Sequence, residues 1–286
     1  MHTPDAYRLL DVGGGARLER FGERIVDRPH PAALGSRGDP GLWRDADLRF
    51  DRDEGWTGEA ADNGPWPVEV GGIRLELRPT EAGHLGIFPE HLAMLPWLVE
   101  RVSERVTARG DTAGRPPAVL NAFAYTGLAT LGLAAAGAAV THLDSSRPTV
   151  AWARINAERS DLGDRPIRWI VDDALAFIER EVRRTHRYDG LVLDPPSYGH
   201  GPKGQPWRME DGLAPLLAGS ARLIEPGGFV LLTAHSQGFD GDRLATVVAT
   251  ALARRPNELE RGELTVSTPD GRRLELGAFA RWRGGA

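Results

Sequence analysis

Short apolar runs alternate with longer amphipathic segments along most of the chain. The short runs are typical of buried parallel strands, and the longer segments repeat their apolar residues at helical spacing. Together they predict strands at 118–123, 139–143, 167–171, 188–194 and 229–233, helices at 89–109, 127–136, 148–160, 173–184 and 209–224, and a closing hairpin of 259–266 and 273–282. This order indicates an α/β fold with a doubly wound parallel sheet.

The first 80 residues follow a different pattern. They are rich in Gly, Pro and Trp and contain short alternating runs such as Ile73–Leu77, which predict a small β-rich domain. The triple glycine at 13–15 is interpreted as a hairpin turn, because a phosphate loop would need an apolar strand before it and a helix after it. We therefore expect two domains, a β-rich domain at 1–80 and a larger domain at 81–286.

Composition limits the class of protein. The 286 residues are 41% hydrophobic and 26% charged, which is ordinary for a globular protein. No apolar stretch spans a bilayer and the amino terminus lacks the features of a secretory signal, so we expect a cytoplasmic protein. The formal net charge of −5 does not by itself indicate binding of nucleic acid, which usually requires a basic patch or stripe. Cysteine is absent, which excludes disulfides, thiolate metal ligands and a cysteine nucleophile.

The most informative segment follows the strand predicted at 188–194, where Asp194 precedes Pro195, Pro196, Ser197 and Tyr198. Ligands of open α/β sheets lie outside the carboxyl ends of the strands, so we expect Asp194 to face a crevice. The prolines lack N–H donors, so the turn offers carbonyl acceptors to a substrate amine. The Tyr198 ring offers a surface on which a base can stack. The alternative is that the two prolines simply end the strand.

Three earlier strands end at the same predicted edge. The first runs into Asn121–Gly127, whose small residues let the backbone approach a ligand and whose following helix offers amides to a carboxylate. The second ends at Asp144, which suits ribose hydroxyls, and the third at Asp173, which suits an adenine amino group. Either acid could instead cap the next helix. Because the spacing G-x-G-x-x-G is missing, the combination indicates S-adenosylmethionine rather than a dinucleotide.

Taken together, these motifs resemble a known family. The segment Asn-x-Phe-Ala-Tyr-Thr-Gly at 121–127, Asp144 with Ser145 and Ser146, Asn156, Asp173-Ala174, and Asp194–Tyr198 look like class I methyltransferases related to the bacterial large-subunit ribosomal-RNA cytosine-C5 methyltransferases. The resemblance covers about residues 84–240 and implies a Rossmann-like seven-stranded sheet. Residues 86–91 are similar to a family element that helps to close the cofactor site, although they depart from its usual residues.

The resemblance also implies two groups of site residues. The cofactor, S-adenosylmethionine, would be bound by Asn121, Phe123, Ala124, Tyr125, Thr126, Gly127, Asp144, Ser145, Asp173, Ala174 and Asp194. The acceptor would lie at the predicted catalytic residues Asp194, Pro195, Pro196, Ser197 and Tyr198.

One departure from the family decides the predicted chemistry. Members that methylate cytosine C5 attack C6 with a cysteine after the fifth core strand, where this chain has Thr233-Ala234-His235-Ser236. Without a thiol adduct a carbon is a poor nucleophile, whereas a nitrogen or oxygen brings its own lone pair. The protein then needs only to align donor and acceptor and to exclude water, with no metal.

We therefore predict N-methylation of a nucleobase in RNA, with ribosomal RNA favoured. A small-molecule acceptor and a catalytically decayed module that binds cofactor or RNA are the alternatives.

Several residues admit two interpretations. The segment 195–199 imitates the nucleophile elbow of a hydrolase, but Pro195 stands where the elbow needs glycine. Lys203, on a glycine-rich loop, is either a phosphate clamp or an exposed side chain. His200 and His235 are candidate bases or ordinary hydrogen-bonded side chains, and they lack metal-binding spacing. Trp207 either stacks on a base or closes the crevice.

Overall fold

The computed structural model describes residues 6–61, 64–109, 115–201 and 204–285, which pack into two compact units. The first unit consists of the described parts of Met1–Leu92 with Thr265–Leu276, and the second of the described parts of Ala93–Leu264 with Gly277–Ala286. The first unit thus runs past residue 80 and takes in part of the carboxyl-terminal hairpin. The division into functional domains at 1–80 and 81–286 stays a prediction.

The first unit contains a five-stranded sheet and a separate hairpin. The sheet has the order β1 (Tyr7–Gly13), β2 (Ala16–Phe21), β3 (Arg24–Pro29), β4 (Leu48–Asp51) and β5 (Gly55–Thr57), and the hairpin consists of β6 (Trp66–Val70) and β7 (Ile73–Leu77). Gly14 and Gly15 have φ angles of 64° and 77°, as a two-residue turn between β1 and β2 requires. The interpretation of the triple glycine as a hairpin turn is confirmed.

Asp11 holds separate segments of the first unit together. Its buried carboxylate accepts hydrogen bonds from the Trp43 indole at 2.7 Å, the Arg272 guanidinium at 2.6 Å and the amides of Gly38 and Asp39. Burial alone would raise the pKa of Asp11, but these hydrogen bonds lower it well below its ordinary value. Arg272 therefore ties the carboxyl-terminal hairpin to β1 within this unit.

The second unit is an α/β layer structure. Along the chain its elements are α1 (Leu95–Arg109), β8 (Ala118–Ala122), α2 (Leu128–Ala135), β9 (Ala139–Asp144), α3 (Arg147–Arg159), β10 (Ile167–Val171), α4 (Ala174–Arg183), β11 (Tyr188–Leu193), β12 (Tyr198–His200), β13 (Pro206–Arg208), α5 (Met209–Ala221), β14 (Ile224–Ala234), α6 (Gly241–Leu252), β15 (Glu260–Ser267) and β16 (Arg273–Arg283). Strands β15 and β16 begin or end in the first unit.

The sheet of the second unit has seven strands in the order β10-β9-β8-β11-β14-β16-β15. The first five run parallel, and β16 is antiparallel to β14. The predicted Rossmann-like seven-stranded sheet is confirmed. Over the residues that the structure describes, no helix has the length and apolar composition that crossing a membrane requires.

Apolar side chains cover both faces of this sheet. Leu191 and Leu193 of β11 pack into the cluster under α4, α5 and α6, whereas Val192 packs into the cluster under α1 and α2. Gly190 lies beneath the ring of Phe229, since a Cβ at this position would stand 2.2 Å from its Cζ. Two packed faces fix the register of each strand, because a slip of one residue would exchange the faces.

Some elements differ from the sequence pattern. The helix α6 was not predicted; the Asp240 side chain caps it by accepting from the Arg243 amide at 2.8 Å. The helix predicted from residue 89 begins as a 3-10 turn over Pro89–Met94 before α1. The predicted strand at 229–233 starts earlier because Ile224 already pairs with Tyr188 across a register shift. The small hairpin of β12 and β13 was not predicted either.

A buried polar network links β8, α2 and β9. Asn121 Nδ2 donates to Thr130 Oγ1 at 2.9 Å, and this hydroxyl lies 2.9 Å from His142 Nδ1. Burial, and secondly the charge of Arg154, lowers the pKa of His142 to about 3. The imidazole of the folded protein therefore stays neutral where an unfolded histidine becomes charged.

This network predicts a loss of stability in mild acid. Below the ordinary histidine pKa of 6.5, His142 binds a proton in the unfolded chain but stays neutral in the folded protein. The free energy of unfolding therefore decreases as the pH is lowered. Between about pH 7.5 and about pH 5.5 this histidine alone should remove about 1.4 kcal/mol. Urea unfolding at both pH values measures the loss. His142→Gln should reduce it by that amount, and an unchanged loss would assign the effect to other groups.

Candidate active site

A pocket lies at the carboxyl edge of the parallel strands in the second unit. Its lining residues are Phe123, Leu143, Asp144, Ser145, Asp172, Asp173, Ala174, Pro196, Gly199, His200, Gly201 and Trp207. It brings together six of the predicted site residues: Phe123, Asp144, Ser145, Asp173, Ala174 and Pro196. The other predicted residues belong to the surrounding loops and to the core, namely Asn121, Ala124, Tyr125, Thr126, Gly127, Asp194, Pro195, Ser197 and Tyr198.

The loop between β8 and α2 has an unusual backbone. The φ angles are 58° at Phe123, 50° at Tyr125 and 96° at Gly127. A left-handed conformation costs a residue with a side chain roughly 1–2 kcal/mol. Asn156 of α3 supports the loop from behind, because its Nδ2 donates to the Thr126 carbonyl at 2.9 Å. Such strain persists where surrounding contacts fix the backbone, as is common at functional sites.

Asp144 supports the same loop and also lines the pocket. Its Oδ2 accepts from the Tyr125 amide and its Oδ1 from the Ser146 amide, both at 2.9 Å. Burial raises the pKa of Asp144. The cap of α3 is Ser146, whose hydroxyl accepts from the Thr149 amide. The alternative that Asp144 caps this helix is therefore wrong.

Asp173 does cap a helix, and it reaches the pocket as well. Its Oδ1 accepts from the Ala176 amide at 2.9 Å at the start of α4. Its Oδ2 lies 3.0 Å from the point that a Cβ at Gly201 would occupy. Asp172 beside it pairs with Arg180. The interpretation of Asp173 as a helix cap is confirmed, and its role toward an adenine amino group stays a prediction, for which the second oxygen remains at the pocket.

Asn121 and Thr126 face away from solvent. Asn121 is 2% exposed and its amide is the one that donates to Thr130, so it belongs to the buried network behind the strand. Thr126 is 1% exposed and contributes its carbonyl to the contact with Asn156. The Asn121 side chain therefore links β8 to α2, and the backbone carbonyl of Thr126 anchors the loop to α3.

Asp194 lies where β11 ends beside β14. Thr233 Oγ1 donates to Asp194 Oδ1 at 2.5 Å, and His235 Nε2 lies 3.4 Å from the same oxygen. From sequence, His235 is a candidate base or an ordinary hydrogen-bonded side chain, and Thr233 is only part of the segment without cysteine. The contact of Thr233 with Asp194 depends on the parallel pairing of β11 with β14, which aligns Leu193 with Leu232 and which the sequence pattern does not reveal.

Trp207 forms a wall of the pocket. Its buried ring packs against Phe123 with a centroid separation of 5.2 Å. Its Nε1 donates to the Pro196 carbonyl at 2.7 Å. Trp207 therefore closes one side of the crevice, and stacking of a base on its ring stays a prediction. The Pro196 carbonyl thus accepts from the protein itself, whereas the carbonyls predicted to orient a substrate amine are those of Asp194 and Pro195.

The residues after the double proline are exposed and polar. The Ser236 hydroxyl donates to the Ser197 hydroxyl at 2.8 Å, so the hydrogen-bond partner of this candidate hydrolase nucleophile is a second hydroxyl. Tyr198 is 56% exposed, and its phenol oxygen lies 2.9 Å from His200 Nε2. The interpretation of Lys203 as a phosphate clamp lies outside the described residues.

The charges around the pocket favour a particular kind of ligand. Asp144, Asp172 and Asp173 line it, and Asp194 follows the neighbouring strand. Carboxylates at one edge attract a cationic group and accept hydrogen bonds from hydroxyls and amines. The amides at the start of α2, where the cap Gly127 has no side chain to satisfy them, attract a carboxylate. A zwitterionic nucleoside with a cationic centre meets all these demands.

Comparison with known proteins gives matches of two kinds, although no protein-family model matches the chain. The crystal structure of the SAM-dependent methyltransferase from Agrobacterium tumefaciens is 34% identical, covers 99% of this chain and 92% of that chain, and superposes with a TM-score of 0.89. SMU.776 complexed with SAH has a TM-score of 0.74 over 98% of this chain and 76% of that chain. Its identity is 15%, so that likeness concerns the fold alone.

Curated relatives match in sequence over part of their length. The ribosomal RNA large subunit methyltransferase K/L of Methylococcus capsulatus is 31% identical over 180 residues, which cover 62% of this chain. The protein of the same name from Pseudoalteromonas translucida is 25% identical over 202 residues, or 68% of this chain. The chain spans 23% and 26% of the lengths of these two relatives.

The strained loop leads to a prediction about stability. Gly127→Ala should lower the free energy of unfolding by about 1–2 kcal/mol, because alanine resists a positive φ. A Cβ there would also stand 3.2 Å from the Ala153 Cβ. Gly199→Ala is the matched control, since its Cβ would make an ordinary contact of 3.5 Å with Pro196 and should change stability by less than about 0.5 kcal/mol. Equal urea midpoints for both variants would contradict the assigned strain.

Proposed function

The chain belongs to the SAM-dependent methyltransferases, and on that premise we propose that it methylates a nitrogen of a nucleobase in RNA, with ribosomal RNA favoured. The observation that carries the proposal is the edge where a carboxylate-lined nucleoside pocket adjoins Asp194 and the double proline. We also propose that residues 81–286 form the methyltransferase domain and that residues 1–80 form a separate β-rich domain.

We assign the cofactor to the pocket by the chemistry of its lining. When bound, S-adenosylmethionine supplies a methyl group on a cationic sulfur. A carboxylate oxygen has two lone pairs, so Asp144 can accept from ribose hydroxyls while it holds the Tyr125 and Ser146 amides. In the same way Asp173 can accept from an adenine amino group through Oδ2. The amides of the loop before α2 would receive the ligand carboxylate.

The acceptor is assigned to Asp194 and the exposed residues that follow it. The carbonyls of Asp194 and Pro195 and the Asp194 carboxylate are the groups predicted to orient an acceptor N–H. We assign this recognition to the carboxylate, because the Thr233 hydroxyl donates to it and holds it in one orientation. Tyr198, exposed beside this corner, offers a ring on which a base can stack. The chain has no cysteine, so a covalent adduct of the kind that activates a ring carbon is excluded, and a nitrogen acceptor needs none.

RNA is proposed as the substrate because the curated relatives are named as ribosomal RNA methyltransferases. The likeness to cytosine-C5 enzymes would then reflect a common fold and cofactor site, with the acceptor chemistry changed where the cysteine is missing. We expect the reaction to take place in the cytoplasm. A small-molecule acceptor would leave RNA unlabelled and is an outcome of the test below.

Nucleoside analysis tests the substrate. Total RNA from a strain without the gene should lack one methylated nucleoside that its parent contains, and the purified protein with labelled S-adenosylmethionine should restore it. Mass spectrometry of the digested ribosomal RNA identifies the methylated base. Identical nucleoside profiles, with no transfer of label to RNA in vitro, would reject RNA as the substrate.

Two matched substitutions separate the cofactor site from the acceptor site. Asp144→Asn should weaken binding of S-adenosylmethionine by about 10-fold or more, as expected for the loss of a buried charged acceptor worth about 1.5–3 kcal/mol. Asp194→Asn should bind the cofactor normally and lower turnover instead. Calorimetry measures the first effect and a labelled-methyl assay the second. Normal cofactor binding by Asp144→Asn would contradict the assignment of the pocket.

A further inference from the structure

The end of β14 provides a second set of polar groups beside the acceptor corner. The pairing of Leu193 with Leu232 brings Thr233 next to Asp194. Thr233 is 3% exposed, and its Oγ1 lies 2.5 Å from Asp194 Oδ1 and 3.4 Å from the Leu193 carbonyl. A hydroxyl has a single proton to donate, and the shorter distance assigns that proton to the carboxylate. Thr233 therefore fixes the torsion of the Asp194 side chain.

His235 approaches the same oxygen from beyond the strand. Its Nε2 lies 3.4 Å from Asp194 Oδ1. On its other side the ring lies against the backbone of β16: a Cβ at Gly277 would stand 3.0 Å from His235 Nδ1 and 2.4 Å from the Ala234 carbonyl oxygen. A side chain at residue 277 would therefore crowd both the strand and the imidazole. The glycine leaves room for the ring in this orientation.

We infer that Thr233 and His235 are positioning residues for methyl transfer, and that they act by holding the Asp194 carboxylate in one orientation. This inference rests on the proposed function. Both residues engage Oδ1, so the direction of the second oxygen follows from the geometry of the carboxylate. An aspartate held in this way presents a fixed acceptor to the N–H of the substrate, which is the condition for alignment with the methyl donor.

Methyl transfer to a nitrogen requires a lone pair on the acceptor, a leaving group and a base for the proton. The acceptor nitrogen forms its bond to the methyl carbon with its own lone pair, and the carbon–sulfur bond breaks with its electron pair going to sulfur. The nitrogen then loses a proton, which the Asp194 carboxylate accepts. Thr233 and His235 form no covalent bond in this step. Their contribution is to orient the carboxylate before and during the transfer.

The test compares variants that keep the shape of the site. Thr233→Val removes the hydroxyl and nearly preserves the volume, Thr233→Ser restores the hydroxyl, and His235→Gln replaces the imidazole by an uncharged amide. Thr246→Val is the matched control, because Thr246 is exposed on α6 and its hydroxyl donates to the Asp242 carbonyl. Each protein is assayed for thermal unfolding, for the Kd of S-adenosylmethionine, and for kcat and KM with unmodified 23S ribosomal RNA.

We expect Thr233→Val to lower kcat by about 10²-fold, the size of effect that a small misplacement produces. The cofactor Kd and the KM for RNA should change much less than kcat, because the substitution leaves the Asp194 carboxylate and the pocket acids in place and alters only the alignment of the carboxylate. Thr233→Ser should recover most of the rate, and His235→Gln should lower kcat, as Thr233→Val does. A structural role alone would lower the melting temperature without this separation of kcat from KM.

The outcomes distinguish the inference from the function on which it rests. If the unaltered protein does not methylate RNA, the proposed function fails. If it does, and Thr233→Val and His235→Gln keep the full rate, the inference alone is overturned. If Thr233→Val fails to fold, the comparison of His235→Gln with the unaltered protein decides, because His235 is partly exposed and outside the core.

Discussion

The register of the parallel strands is the constraint on which the candidate site depends. Core residues aligned across β8, β9, β11 and β14 are Ala122, Leu143, Leu193 and Leu232. The residues that follow them are Phe123, Asp144, Asp194 and Thr233. A slip of one residue in any strand would turn its apolar side chains to the other face and move the residue that follows it away from the edge. Packing on both faces of the sheet therefore sets the geometry of the site.

The acids of the site serve the fold and the pocket at the same time. Asp144 holds two backbone amides and lines the pocket, and Asp173 caps α4 through one oxygen while the other faces the pocket. A carboxylate can do both because it offers more lone pairs than one hydrogen bond uses. Capping and ligand binding are thus compatible at Asp173. The same dual use means that removing such an acid disturbs the local backbone, so an isosteric amide is the more informative change.

Periodicity and strand ends were sufficient to predict the sheet and two of the pocket acids, Asp144 and Asp173, because these features depend on local sequence. Helix α6 was missed because its run of Ala, Thr and Val at 245–251 has no strong helical signature. The inward direction of Asn121 depends on Thr130 in the next helix, and the partners of Asp194 depend on a strand 39 residues away. Such contacts follow from topology, which a single sequence does not specify in detail.

Under the proposed function, a site without a thiol depends on the alignment of donor and acceptor, and hydrogen bonds hold both sides of the site in place. On the cofactor side, Asn156 and Asp144 hold a loop that contains left-handed residues. On the acceptor side, Thr233 holds Asp194. Transfer to a nitrogen needs little activation once donor and acceptor are in line, so an error of orientation would dominate the barrier. Under the proposed function, residues that never touch a ligand are therefore expected to influence the rate through the orientation of those that do.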